Sequence, residues 1–226
     1  MGDVGFDFVV IDEEHAPFDR VTTDMALLGA RAAATAGIVR VARPDAANIL
    51  AALDDGAIGV LVPHVNSVER AQQAVAAARY RGGRRGFSNS PRAGSYGGLP
   101  LPVHIQRSDE QTAVIAMIED PEAVEVIDAI ARVKGVDAFF LGRADLAVAM
   151  GGDALDAPEV CEAVERICRA AREASMRICA MVASAAESAW LTELGVSAFI
   201  VASDQAFMRR AAASALAEFR SQWVAA

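Results

Sequence analysis

Three acids and a histidine follow the first apolar run of the sequence. Residues 6–17 read FDFVVIDEEHAP, which places Asp12 three residues before His15, on a turn after a predicted strand. An aspartate that fixes the tautomer of an imidazole and raises its basicity is typical of a general base. A lone histidine is more often structural, but this spacing predicts a catalytic pair in which Asp12 supports His15.

Two further carboxylates stand where later apolar runs end. Glu119 is the last residue of TAVIAMIE, and Asp145 follows VDAFFLG within the string GRAD. Either acid could cap a helix, but Asp120 is better placed to cap the helix predicted from Pro121, which leaves Glu119 free. Carboxylates from neighbouring strands suit Mg²⁺ or Mn²⁺, and oxygen ligands also accept Co²⁺. We therefore predict a divalent-metal site formed by Glu119 and Asp145.

Arg43 is the last residue of the apolar run GIVRVAR. An arginine at the end of a buried strand is costly unless its charge is paired. It could pair with Glu14 or Asp45, or it could hold a substrate oxyanion through two hydrogen bonds. Arg43 is therefore a candidate substrate ligand.

Short apolar runs alternate along the chain with longer alanine-rich segments of helical period. Near-continuous apolar runs favour parallel strands that are covered on both faces and joined by right-handed β–α–β connections. The predicted strands are FDFVVID, GIVRVAR, AIGVLVP, TAVIAMIE, VDAFFLG, RICAMVA and SAFIVAS. The helical period predicts helices over residues 20–36, 46–55, 67–80, 121–133, 158–175, 185–194 and 205–222.

Seven strands fit an open doubly wound sheet, whereas a β/α barrel needs eight. The first strand is not followed by GxGxxG or by GxxxxGK with Ser or Thr, so a nucleotide-binding sheet lacks its usual signature. Five of the strands lead instead into ionisable residues. Because the carboxyl ends of strands meet at one mouth in a β/α barrel, this regularity favours the barrel.

Residues 81–110 break the alternation and predict a long loop with room for one short helix. Such loops are often functional in compact domains. The basic string RYRGGRRGF at residues 79–87 overlaps the start of this loop. It is interpreted as a solvated loop, with a pocket for a small anion as the functional alternative.

Composition limits the class of protein. The chain has 226 residues, 54% of them hydrophobic, a formal charge of −9 and a pI of about 4.9. These values predict one folded domain over residues 1–226 and argue against a nucleic-acid partner. The sequence lacks an apolar stretch long enough for a membrane span and a signal-peptide pattern, so we expect a cytoplasmic protein. Three cysteines without CxxC spacing predict buried free thiols.

Several strings together resemble the metal-dependent class II pyruvate aldolases of the HpcH/HpaI type, over residues 5 to about 220. The resemblance rests on GFDFVVIDEEHAP, VARPD and GAIGVLVPHVNSVERAQQAVAAARY, which recur in the family in this order and spacing. It continues in GRRGFSNSPRAGSYG, in VIAMIEDPEAVEVIDAIARVKGVDAFFLGRADLAVAMG, and in FIVASDQAFMRRAAASALAEF.

The resemblance implies a β/α barrel of the phosphoenolpyruvate/pyruvate type and an enzyme that works as a homo-oligomer, a trimer or hexamer. It implies a lyase that joins or splits a 2-keto acid such as pyruvate and an aldehyde. Glu119 and Asp145 would hold the divalent metal, and His15 with Asp12 would be the general base. Arg43 would bind the keto oxygen, and the backbone amides of Ala144 and Asp145 would bind the substrate carboxylate.

Three departures from the family pattern leave alternatives open. Met117 replaces a glutamine before the metal-binding glutamate, and Arg143 adds a charge that could select a more acidic substrate or point outward. Family members also carry a further strand and helix upstream, so we expect a barrel that is truncated at its N-terminus, with about seven strands from this chain. The alternatives are a citryl- or malyl-CoA lyase-like enzyme and a catalytically impaired relative that binds metal and keto acid.

Overall fold

The computed structural model describes residues 1–224. Seven parallel strands form one sheet whose spatial order follows the chain order. The strands are β1 (Phe8–Asp12), β2 (Ala36–Arg40), β3 (Gly59–Val62), β4 (Ala113–Ile118), β5 (Ala138–Leu141), β6 (Arg177–Val182) and β7 (Ala198–Val201). The sheet curls into a nearly closed barrel, and within residues 1–224 β1 pairs only with β2 and β7 only with β6.

Helices cover the outside of this barrel. They are α1 (Arg20–Ala32), α2 (Ala46–Asp54), α3 (Val68–Ala78), α4 (Leu101–Gln111), α5 (Pro121–Glu125), α6 (Ile127–Ile130), α7 (Arg143–Ala149), α8 (Pro158–Glu173), α9 (Ala185–Glu193) and α10 (Asp204–Val224). Short 3₁₀ turns lie at Gly2–Val4 and Arg92–Gly94. None of the helices described is long and apolar enough to cross a bilayer.

Polar side chains fix where several helices begin. The Asp19 side chain accepts the backbone N–H of Thr22 at the start of α1, and Thr22 Oγ1 in turn accepts the backbone N–H of Asp19. Asp45 caps α2, while Ser67 and Ser184 cap α3 and α9 in the same way. Each bond satisfies a backbone donor that the first turn of a helix leaves free.

Strand alternation divides the core into two apolar layers. The inner layer fills the barrel and centres on Leu61, Met117, Phe140 and Cys179. The outer layer joins the other face of the strands to the helices, with Phe139 and Ile167 fully buried there. Because successive side chains of a strand point to opposite faces, every second residue continues the inner layer toward the mouth.

The predicted strands and helices correspond to the observed ones, with errors at the ends. The helix predicted over 20–36 stops at Ala32, because Ala34 adopts a left-handed conformation with φ 52° before β2. The strand predicted to reach Arg43 ends at Arg40. The predicted helix 121–133 is split into α5 and α6.

The last part of the predicted loop over residues 81–110 forms α4, which ends at Gln111. The sequence predicts one short helix in this loop, and α4 has 11 residues. The single domain over 1–226 stays a prediction, and residues 225–226 lie outside the described part of the chain.

The three cysteines are free, as predicted, but their burial differs. Cys168 and Cys179 are buried, and burial raises the pKa of these thiols to about 11 and about 12. Cys161 is only partly buried, so the prediction of three buried thiols is wrong at this position.

Candidate active site

The three acids at the end of β1, Asp12, Glu13 and Glu14, point alternately to the two faces of the sheet, as successive residues of a strand do. Asp12 ends β1 and hydrogen-bonds Arg40, while Glu14 lies 3.5 Å from the same guanidinium. Glu13, between them, turns outward and accepts a 2.8 Å hydrogen bond from Thr23 of α1. The mouth of the barrel therefore receives two of the three acids, and the third holds a helix.

Arg40 is the guanidinium at the centre of this mouth. It faces Asp12 across the β1–β2 ladder and bonds both oxygens of that carboxylate, with 2.7 Å between Nε and Oδ1. Burial alone would lower the pKa of Arg40, but the hydrogen bond and the charges of Asp12, Glu14 and Glu119 raise it. Burial would raise the pKa of Asp12, and the bonds from Arg40 and from two backbone N–H groups hold it below its usual range.

In the described part of the chain, Arg43 does not pair with the acids of the mouth as Arg40 does. The prediction that it ends a buried strand is wrong. It is exposed, three residues beyond the last residue of β2, and forms no side-chain hydrogen bond or ion pair within residues 1–224. The partners considered for it are also engaged, since Asp45 caps α2 and Glu14 faces Arg40. Sequence reasoning missed Arg40, although an arginine in the middle of the apolar run GIVRVAR was the available signal.

His15 and Asp12 are neighbours, but not as the predicted side-chain pair. Asp12 Oδ1 accepts the backbone N–H groups of Glu14 and His15, at 3.0 and 3.2 Å. The carboxylate of Asp12 is otherwise occupied by Arg40. Asp12 therefore fixes the turn that presents His15, and the imidazole itself is exposed.

Glu119 follows β4 and is 3% exposed. Its Oε1 accepts the backbone N–H of His64 at 2.7 Å. Burial raises the pKa of Glu119 to about 7, and the charges of Asp145 and Glu14 raise it as well, while the bond and the charge from His64 oppose them. Glu119 is thus a buried carboxylate surrounded by other acids.

Gly142 makes room for Glu119 at the end of β5. A Cβ added at Gly142 would lie 2.4 Å from the Glu119 Cβ and 3.1 Å from the Met117 Cε. Met117, which replaces the glutamine of the family pattern, is buried in the inner layer below the site. The floor beneath Glu119 is therefore apolar and closely packed.

Asp120 does not act as the cap predicted for it. It stands at the N-cap position of α5, but its side chain makes no capping bond. Its Oδ1 lies 3.2 Å from Nδ1 of His64, and its buried Oδ2 has no partner within the described residues. His64 itself has a left-handed backbone with φ 52°, and its Nε2 lies 3.8 Å from Glu14.

Asp145 and Ala144 lie in the first turn of α7, and both are exposed. Asp145 is close enough for its charge to raise the pKa of Glu119. The N-cap of α7 is Gly142, so Asp145 is not the capping residue. First-turn amides of a helix have no acceptor within it, which is the condition that the predicted carboxylate site requires.

Arg143, next to them, is buried and turned toward the β6–α9 connection. Its Nη2 donates to the Met181 carbonyl oxygen at 2.9 Å and to Glu187 Oε1 at 2.5 Å. Glu187 also accepts the backbone N–H of Ala183 at 2.7 Å. This arrangement favours a structural role for Arg143 over the predicted contact with substrate.

Across residues 1–224, no three histidine, cysteine or carboxylate side chains form a ready-made metal cage. The donor set that remains is Glu119 with Asp145. Hard cations such as Mg²⁺ are commonly held by one or two carboxylates, with water and substrate completing the shell. Two buried oxygens nearby have no hydrogen-bond partner in the described part of the chain: Asp120 Oδ2, and Glu14 Oε2, which lies 3.5 Å from Arg40 Nη1. The site is rich in acceptors and short of positive charge, which fits a bound cation.

The barrel fold and the carboxylates gathered at the carboxyl ends of its strands are typical of β/α barrel enzymes. Residues 1–204 match the family model described as HpcH/HpaI aldolase/citrate lyase. A HpcH/HpaI aldolase/citrate lyase family protein of Burkholderia cenocepacia superimposes with a TM-score of 0.91 at 30% identity, covering 97% of this chain and 88% of that one. The chain therefore belongs to the HpcH/HpaI aldolase/citrate lyase family, which confirms the predicted family and barrel.

Two relatives bear the name 5-keto-4-deoxy-D-glucarate aldolase. The protein of Enterobacter is 39% identical over 170 residues, which are 74% of this chain and 65% of the relative. The protein of Klebsiella pneumoniae is 35% identical over 214 residues, which are 93% of this chain and 82% of the relative. The chain thus spans a little under two thirds of the first relative and four fifths of the second.

The position of Arg143 leads to a prediction about stability. Replacing Arg143 by Gln removes the partner of a partly buried carboxylate, and we expect the free energy of unfolding to fall by about 1–2 kcal/mol. Glu187→Gln should cost a similar amount, and the double variant little more than either, because the two side chains form one interaction. Urea unfolding measures all three, with the exposed Arg169→Gln as a control that changes stability by less than about 0.5 kcal/mol.

A purely additive double variant would contradict this structural role. So would an Arg143→Gln protein of unchanged stability whose KM for the keto acid alone had risen.

Proposed function

We propose that the protein is a divalent-metal-dependent aldolase. It makes or breaks a carbon–carbon bond between pyruvate, or a related 2-keto acid, and an aldehyde. The observation that carries the proposal is the set of inward carboxylates gathered around Arg40 at the carboxyl ends of the strands. Active sites of β/α barrels lie at this end. The aldolase names of the two relatives support the same reaction class.

Glu119 and Asp145 are the proposed metal ligands. The raised pKa of Glu119 and the unpartnered buried Oδ2 of Asp120 support a cation between these acids. A divalent cation, Mg²⁺, Mn²⁺ or Co²⁺, would supply Lewis-acid stabilisation of the negative charge that develops on the substrate.

Arg40, in place of the predicted Arg43, is the proposed ligand of the keto oxygen. Asp12 holds its guanidinium through two hydrogen bonds and so fixes its direction at the mouth. A fixed cation is most useful where negative charge develops during the reaction, because no reorganisation is needed at that moment. Arg40 thus orients the keto acid and stabilises its enolate.

His15 is the proposed group that moves the proton of the aldol hydroxyl. Its exposed imidazole stands on the turn that Asp12 fixes through the backbone N–H of His15. Asp12 acts here as a positioning residue, and a direct Asp12–His15 side-chain bond is not needed for that role. The amides of Ala144 and Asp145 stay the predicted site of the substrate carboxylate.

A Schiff-base aldolase would need an amine at the mouth. The single lysine of the sequence, Lys134, is exposed and precedes β5, so it lies near the amino ends of the strands. A CoA-dependent lyase would need a basic surface, and the basic string at residues 79–87 is the segment of the sequence that could provide one. Arg79 and Arg85 in this segment are engaged internally, with Asp137 and Asp54. The metal-dependent aldolase is therefore favoured over the Schiff-base aldolase and the CoA-dependent lyase.

A cytoplasmic location stays a prediction.

A homo-oligomer is proposed on the basis of α10. Its apolar side chains are largely exposed: Met208 69%, Leu216 52%, Phe219 65% and Trp223 80%. Monomeric proteins rarely expose apolar patches of this kind, which mark interaction sites. A second copy of the chain is the occupant that family resemblance suggests.

The reaction is tested first without the aldehyde. In D₂O with pyruvate and Mg²⁺, we expect the protein to exchange the methyl protons of pyruvate, measured as loss of the methyl signal by NMR. Glu119→Gln should reduce exchange to the level of buffer, because it removes a charge from the metal site. Glu122→Gln, an exposed acid on α5, is the matched control and should exchange like the parent. A folded parent protein without metal-dependent exchange would instead support the impaired relative.

Arg40 and Arg43 give a second, paired test. Arg40→Gln should lower the exchange rate by about 100-fold, because a guanidinium aimed at developing charge is lost. Arg43→Gln should stay within a few fold of the parent, since Arg43 lies three residues beyond β2 and pairs with none of the acids of the mouth within the described residues. Circular dichroism confirms folding of both variants. The reverse order of effects would restore Arg43 as the substrate ligand.

The mass in solution tests the oligomer. We expect light scattering after size exclusion to give a trimer or hexamer of the 23.7 kDa chain. Phe219→Glu with Trp223→Glu should dissociate it, because two charges would be buried in the interface. Arg209→Glu, an exposed charge change on the same helix, is the control. A monomeric parent would show that α10 does not join copies.

A further inference from the structure

A second cavity lies at the opposite end of the barrel from the proposed active site. Its volume is about 460 Å³, and it lies between α1, α2 and α4 at the amino ends of β2, β3 and β4. We call it the lower cavity. Its polar lining includes Arg31, Arg85, Arg92, Arg107, Thr35 and Thr112. No residue of the mouth described above contributes to it.

The lower cavity is positively charged in an acidic protein. Four arginines line the cavity, and within the described residues no aspartate or glutamate lines it. The protein as a whole carries a net charge of −9. Asp54 and Asp24 pair with Arg85 and Arg92 from outside the lining. Two guanidiniums therefore remain in excess, on Arg31 and Arg107, which are both exposed.

Arg85 is a buried guanidinium with unused hydrogen-bonding capacity. Its side chain is 1% exposed, and its Nη2 lies 2.8 Å from Asp54 Oδ1. The guanidinium also stacks on the ring of Tyr80, 4.6 Å from the ring centre. Its buried Nε has no partner in the described part of the chain. Because the side chain is inaccessible even from the cavity, Arg85 contributes a fixed positive charge to the wall, and the exposed Arg31 and Arg107 are the donors that a ligand can reach.

Arg92 is fixed beside it by backbone oxygens. Its Nη1 donates to the carbonyl oxygens of Asp55 and Asp24, at 2.6 and 3.2 Å. Gly56 packs against its alkyl chain, where a Cβ would lie 3.0 Å from the Arg92 Cδ. The two inner arginines are thus held in place before any ligand arrives, which lowers the entropy cost of binding.

We propose that the lower cavity binds a small organic anion with phosphate or carboxylate groups. Its volume falls in the range of small-molecule sites and exceeds what a single inorganic ion fills. Arginine forks match the geometry of both oxyanions, while Thr35, Thr112 and the apolar side chain of Leu53 line the rest of the wall. This site is separate from the proposed aldolase site and does not depend on it.

Isothermal titration calorimetry with inorganic phosphate, phosphoglycolate and succinate tests the site. We expect at least one organic probe to bind with a Kd of about 1 mM or tighter, and a weaker response to inorganic phosphate. The double variant Arg31→Gln/Arg107→Gln should weaken binding by about tenfold or more, because it removes both unpaired charges. Comparing phosphoglycolate with succinate distinguishes a phosphate from a carboxylate ligand.

Three further variants locate the bound probe. Arg84→Gln changes an exposed arginine that does not line the cavity and should bind like the parent. Arg40→Gln alters the mouth and should also leave this binding unchanged. Arg85→Lys keeps the charge beside Asp54 and should bind within a few fold of the parent. Circular dichroism and unfolding curves show that each variant is folded.

Binding lost in Arg40→Gln and retained in Arg31→Gln/Arg107→Gln would place the anion at the mouth and overturn the proposal. Equal losses in Arg84→Gln and in the double variant would reveal general attraction to basic residues and would also overturn it. Absence of binding of all three probes up to about 10 mM has the same consequence.

Discussion

The ion pair between Asp12 and Arg40 organises the mouth of this barrel. It joins the last residues of two neighbouring strands and lies on the face that continues the inner apolar layer. Removing Arg40 would leave the partly buried carboxylate of Asp12 among other acids, whereas removing Asp12 would take away the two hydrogen bonds that fix the direction of Arg40. Asp12 also fixes the turn that carries His15. The proposed substrate ligand Arg40 and the proposed proton-transfer group His15 thus both depend on one contact between β1 and β2.

The two ends of the barrel differ in charge. The carboxyl ends of the strands gather acids, and burial together with the charges of Asp145 and Glu14 raises the pKa of Glu119 to about 7. The amino ends of β2 to β4 gather arginines around the lower cavity. The proposed cation site and the proposed anion site therefore lie at different places on one molecule, and their ligands would not compete for the same space.

Much of the fold could be predicted from sequence because it depends on local patterns. Apolar runs, helical periods and capping residues are readable from neighbours along the chain, and they located the seven strands. Arg43 shows where this reasoning stops. The apolar run GIVRVAR predicts a strand that continues to Arg43. The face on which a side chain of this strand lies follows instead from its spacing to Ile38, which faces the barrel interior. Arg40 lies on the same face as Ile38. Contacts such as Arg143 with Glu187 join distant segments and carry no local signal.

The absence of a side chain at Gly142 limits which substitutions are possible beside Glu119. Gly142 has an ordinary negative φ of −80°, so its backbone could accept any residue. What forbids a side chain is Glu119, whose Cβ would lie 2.4 Å from a new methyl group. Position 142 is therefore as constrained as the carboxylate it borders, and a smaller residue at position 117 would not relieve the clash, because the obstructing atoms belong to Glu119.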